Sequence, residues 1–108
     1  MQLMDNDVEI TLEVLAIFKV EVPKDMQTLG RHLLNKDWEM LGKTAHKLKS
    51  SVGNLGLNDL RDLFLYIEQN CKEGTNLDQL PSYVQKTVAA VDQLFLDIEV
   101  EIARLKAL

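Results

Sequence analysis

The chain has little of what would build a covalently braced, membrane-spanning or fibrous protein. A single cysteine, Cys71, excludes an internal disulfide, and its place on an apolar helical stripe reads as core. Two prolines and five glycines in 108 residues are too few for a disordered or collagen-like chain. No apolar run reaches the roughly 18 residues that a bilayer span needs, and the N-terminal MQLMDNDVE lacks the basic-then-apolar design of a secretory signal. A cytoplasmic protein that does not enter a membrane is expected. Positive charge is also short: 12 Lys and Arg stand against 17 Asp and Glu, a net of −5. Nucleic acid and anionic membrane surfaces reward a basic face, so neither is an expected partner. Missing too are the Cys-x-x-Cys-His of haem attachment, the repeated Glu-x-x-His of a di-iron bundle, and any Ser or Cys set beside a histidine with an orienting acid. No metal and no cofactor are therefore expected.

What is present is helical periodicity. With 46% hydrophobic and 27% charged residues, a single domain over residues 1–108 is the expectation. Trp38, Leu41, Ala45, Leu48, Val52 and Leu55 recur at steps of three and four, with Asp37 as N-cap. Leu60, Leu63, Phe64, Ile67 and Cys71 form a second stripe, with Asn58 as candidate cap and Gly74 as a left-handed stop. Val84, Val88, Val91, Phe95, Ile98, Ile102 and Leu105 form the longest, opened by Pro81. Pro23 opens a shorter helix with Met26, Leu29 and Leu33 on its apolar side, closed by Asn35-Lys36-Asp37. Before it, VEITLEV alternates like a strand, yet Leu12, Leu15, Phe18 and Val22 keep helical spacing. A lone strand would leave its backbone unpaired, so helix is the reading.

The fold class predicted is all-α: an antiparallel four-helix bundle with an additional short N-terminal helix. A final helix running from Pro81 to Leu108 would be about 40 Å long at roughly 1.5 Å per residue, against about 27 Å for the Trp38–Leu55 segment. Its last turns overhang, leaving Ile102, Leu105 and Leu108 to cover the first helix, to pair with a second copy, or to mark where a longer chain was cut.

The stretch TAHKLKSSVGNLGL, residues 44–57, breaks the pattern of a plain core helix. At about 100° per residue His46 points roughly 130° away from its helix's apolar stripe. Gly42, Lys49, Ser50 and Gly53 project within about 60° of it, with Lys43 at a similar angle on the far side. Glycine inside a helix costs about 1 kcal/mol relative to alanine, and clearance for a large incoming group is one reason to bear that cost. Lysines are cationic donors suited to phosphoryl oxygens. From Lys36 to Lys49, four lysines stand against Asp37 and Glu39, a local +2 in a chain of −5. A nucleophilic imidazole with clearance and cations describes a phosphoryl acceptor. Two charges at about 4 Å attract by about 4 kcal/mol at an effective dielectric near 20, but exposed pairs net only about 0.2–1 kcal/mol, so the lysines orient and steer. The plain alternatives are a surface histidine with no task, close helix packing at Gly42, and a helix end at Gly53.

The segment His46-Lys47-Leu48-Lys49-Ser50-Ser51, followed by Asn54-Leu55-Gly56, resembles the His-x-Leu-Lys-Gly-Ser and Leu-Gly signature of histidine-containing phosphotransfer (HPt) domains. Phe18, Pro23, Asp37-Trp38 and Ile67-Glu68 extend the likeness over nearly the whole chain. The resemblance implies a monomeric-type bundle that is a carrier and not an enzyme. His46 would take a phosphoryl group from a receiver-domain aspartate and pass it to another, with Lys49 in the phosphoryl-stabilising place. The family usually has glycine where this chain has Ser50, whose hydroxyl is small and able to donate to phosphate. A polar side chain from the next helix often completes such a site. Glu68 and Gln69 both lie near the expected place and the sequence assigns neither; a glutamate would repel phosphate, which makes Gln69 a candidate. Implied partners are response-regulator receiver domains, including that of a hybrid sensor kinase, and the receiver supplies the acidic pocket and metal. The self-association alternative is a dimer through the C-terminal helix. A helical adaptor that binds a signalling partner without phosphorylation is the competing function.

Overall fold

A computed structural model describes residues 8–108. Four α-helices follow one another: α1 (Val8–Leu34), α2 (Trp38–Gly53), α3 (Asn58–Glu73) and α4 (Leu80–Lys106), the last preceded by a single 3₁₀ turn at Leu77–Gln79. Each helix packs on its sequence neighbours and α4 closes back on α1, so α2 and α4 lie on opposite sides of an up-and-down bundle.

Among the described residues there is no separate short N-terminal helix. The segment expected to end at Val22 and the one expected to start at Pro23 are one helix, α1, with Pro23 inside it. Proline in a helix interior removes one backbone hydrogen bond and crowds the carbonyl four residues earlier. Packing overrides that signal, because Leu15, Phe18, Val22 and Leu29 form one buried stripe whose phase runs unbroken past the proline. A kinked or broken helix would throw one half of that stripe out of register, at a loss of about 1.5–3 kcal/mol for each large side chain exposed.

The turn between α1 and α2 closes through Lys36, which takes a positive φ of 53°, and Asp37 caps α2 by accepting from the Met40 amide at 3.3 Å. The expected cap at Asn58 is displaced by one residue: Leu57 holds the cap position without a side-chain bond, and Asn58 is the first helical residue of α3. Gly74 ends α3 in the left-handed region at φ 69°. Asn70 then ties down the following loop, its Oδ1 accepting from Thr75 Oγ1 at 2.7 Å and Asn76 Nδ2 at 2.9 Å.

Helix lengths set the shape. The 27-residue α1 and α4 run about 40 Å, while the 16-residue α2 and α3 run about 24 Å, and the molecule measures 48 × 19 × 17 Å. The overhang of α4 therefore meets the overhang of α1. Ile98 and Leu105 are buried, and Val8, Leu12 and Ile102 pack against the same cluster. Phe18 and Phe95 meet edge to face at 6.0 Å, and Lys19 pairs with Glu99.

Candidate functional site

His46 lies on the outer side of α2, its side chain 60% exposed. Its apolar neighbours on the helix, Leu41, Ala45, Leu48 and Val52, are fully buried, so the stripe that anchors α2 also fixes the imidazole outward. The partner across the helix interface is Glu68 of α3, whose Oε2 lies 2.5 Å from His46 Nδ1 and whose Oε1 accepts from Lys49 Nζ at 2.6 Å.

Burial alone would raise the Glu68 pKa, but hydrogen bonds from Lys49 and then His46 outweigh it and hold the carboxyl below its ordinary value. Glu68 is therefore ionised at neutral pH and can only accept. It follows that Nδ1 carries the proton and that, in the neutral ring, Nε2 presents its lone pair to solvent. The arrangement is an oriented nucleophile with a carboxylate behind it.

Around this pair a groove of about 490 Å³ opens between α2 and α3, lined by Trp38, Gly42, Lys43, His46, Cys71 and Lys72 among others. A Cβ on Gly42 would lie 3.1 Å from Cys71 Cβ and 3.8 Å from the Glu68 carbonyl. Glycine there lets α2 and α3 approach closely, and it also forms the floor of the groove. The Cys71 thiol is pushed up to about 11 by burial, so it stays protonated and unreactive.

The structure brings His46, Lys49, Gly42 and Lys43 into one place. Lys43 is exposed and sits 3.4 Å from Glu39 within its own helix. Ser50 is one turn beyond His46 and exposed. Two residues fall outside. Gly53 ends α2 two turns away, where a Cβ would make ordinary contact with Arg61 at 3.4 Å, so it marks a helix end and not a clearing at the ring. Gln69 is exposed and does not line the groove. The α3 residue at the histidine is Glu68, and its repulsion of an incoming anion is offset because it sits on the Nδ1 side of the ring and shares its charge with Lys49.

Lys47 belongs to the other flank of α2, where it reaches Asp25 of α1 at 3.1 Å; the basic island is thereby divided between two faces. The sequence places Glu68 beside Gln69 near the site but its charge argues against it there, and nothing in the sequence marks Trp38 and Lys72 as groove walls. The signal that would have found them is the antiparallel register of α2 on α3, which aligns Gly42 with Cys71 and His46 with Glu68. No cluster of three or more His, Cys, Asp or Glu placed to hold a metal ion occurs among the described residues, and none of the described helices is long and apolar enough to cross a membrane.

The Hpt domain family matches the chain over residues 13–107. No curated protein and no solved structure matches it.

Proposed function

The chain belongs to the Hpt domain family, whose members are phosphocarrier modules of two-component signalling, and from that premise we propose that His46 accepts a phosphoryl group from a receiver-domain aspartate and hands it to another receiver. Nε2 attacks the phosphorus of the partner's aspartyl phosphate in line; the N–P bond forms as the P–O bond to the aspartate breaks, and the electron pair leaves with the carboxylate. The imidazole becomes a cation that keeps its Nδ1 proton, and Glu68 lies against that charge. The observation that carries the reading is the His46–Glu68 pair, which engages Nδ1 and leaves Nε2 without a partner among the described residues.

Lys49 and Lys43 supply positive charge for the phosphoryl oxygens, and Ser50 a hydroxyl one turn away. Lys49 is bound to Glu68 in the unphosphorylated state, so it is already positioned, and it swings from carboxylate to phosphate without a long search. The receiver brings the acidic pocket and metal ion, and a receiver attached to a hybrid sensor kinase is the natural donor. Incubation with a phosphorylated receiver domain should yield acid-labile, base-stable phosphate on this chain, and His46→Gln should abolish it. Labelling that survives that substitution, or binding of a receiver with no labelling, would overturn the reading in favour of another acceptor or of a plain adaptor.

A further inference from the structure

Helix α4 carries two apolar stripes. The inward one, Val84, Val91, Ile98 and Leu105, is buried in the bundle. Half a turn away, Leu96, Val100, Ala103 and Ala107 recur at intervals of four, three and four, the spacing of a helix–helix seam. Leu96 and Val100 are 63% and 71% exposed, both alanines are exposed, and among the described residues nothing covers them, since α1 and α3 pack on the other sides of α4. Charge is distributed along both flanks in a self-complementary way. At about 100° per residue, Asp92, Glu99 and Lys106 fall on the flank toward α1, where Glu99 pairs with Lys19, and Asp97 and Arg104 on the flank toward α3, with acid N-terminal to base on both flanks.

We propose that this face pairs with the same face of a second copy, α4 antiparallel to α4, about a two-fold axis near Val100. Antiparallel two-fold pairing sets each flank against its own counterpart with direction reversed. Asp92 then meets Lys106 of the second copy and Asp97 meets Arg104, each contact occurring twice, against one like-charge contact of Glu99 with its own counterpart, where Lys19 of each copy pairs with the carboxylate. Arg104 holds Glu101 through Nε and Nη2, which leaves Nη1 free to donate. Val100 packs on its own counterpart and Leu96 over Ala103, large against small. Parallel pairing would instead place Asp97 beside Glu99 and Arg104 beside Lys106, which like-charge repulsion disfavours.

The seam from Asp92 to Ala107 is one helix pair about 24 Å long with two large exposed apolar side chains per copy, Leu96 and Val100, so the dimer is a weak one that forms at high concentration. Because α4 lies across the bundle from α2, both His46 rings stay outside the interface. The proposal therefore stands or falls apart from the phosphocarrier reading.

Sedimentation equilibrium of the whole chain from roughly 10 µM to about 1 mM tests it. The mass should climb from 12.3 kDa toward twice that value. Val100→Glu should hold it at the monomer mass with an unchanged helical circular-dichroism spectrum. Asp92→Lys should weaken association about fivefold, and Asp92→Lys combined with Lys106→Glu should restore it. A monomer throughout the range, a dimer indifferent to Val100→Glu, or a charge reversal that fails to restore association would each overturn the proposal.

Discussion

Replacing Glu68 by alanine isolates the contribution of the carboxylate behind the histidine. The substitution deletes both the 2.5 Å contact to Nδ1 and the 2.6 Å contact to Lys49. Hydrogen bonds to charged groups contribute about 1.5–3 kcal/mol. Glu68 is 21% and His46 60% exposed on their side chains, so solvent screening brings the share available to the ring down to about 1–1.5 kcal/mol. At about 1.4 kcal/mol per factor of ten, phosphoryl transfer to His46 should slow roughly five- to tenfold. Single-turnover transfer from a phosphorylated receiver measures the rate, and long-range proton–nitrogen correlation on the imidazole reports the tautomer. In the native chain Nδ1 should carry the proton; in Glu68→Ala both tautomers should be populated. Glu68→Gln keeps an acceptor oxygen for Nδ1–H but loses the charge, so its tautomer should hold while its rate falls. Transfer as fast as the native chain's with an unchanged tautomer in Glu68→Ala would refute the reasoning, because the ring would then be oriented by something else.

Three further expectations concern the scaffold. Gly42→Val forces a branched side chain into the space where a Cβ already lies 3.1 Å from Cys71 Cβ; it should lower unfolding free energy by about 1–3 kcal/mol, and an unchanged urea midpoint would show that α2 and α3 separate freely. Pro23→Ala restores a helical N–H, and after the lost rigidity of the unfolded chain is counted it should stabilise by about 1–3 kcal/mol; a loss of stability would mean that the packing of α1 on its neighbours needs the distortion proline imposes. The folded-state pKa of Glu68 lies below its unfolded value, so its contribution is complete above the unfolded carboxylate range and disappears as pH falls through the folded value. Urea midpoints taken from pH 7 down to pH 3 should decline less steeply for Glu68→Gln than for the native chain, and parallel declines would contradict the assignment.

The stripes of α2, α3 and α4 were legible because periodicity is a local property, and the same holds for the Asp37 cap and the Gly74 stop. Pro23 misled because its local signal is strong and the stripe that overrides it, from Leu15 to Leu29, is legible only when the two halves are phased together. The outward direction of His46 could be read from its own helix. Its partner could not: Glu68 and Gln69 differ by one residue, hence by about 100° around α3, and which of them faces His46 is decided by how α2 seats on α3 at Gly42 and Cys71. That is a property of two surfaces meeting, and no single stretch of sequence contains it.

The unequal helix lengths give the molecule a thick end and a thin one. Where α1 and α4 run past the α2–α3 turn, two helices support each other without a second layer among the described residues, so amides there should open and exchange with solvent sooner than those of the four-helix section. His46 and Glu68 sit in the thick part, on the two helices confined to it. Fraying of the thin stem can thus come and go without loosening the imidazole, and wear at one pole of the rod is kept from the chemistry along its flank.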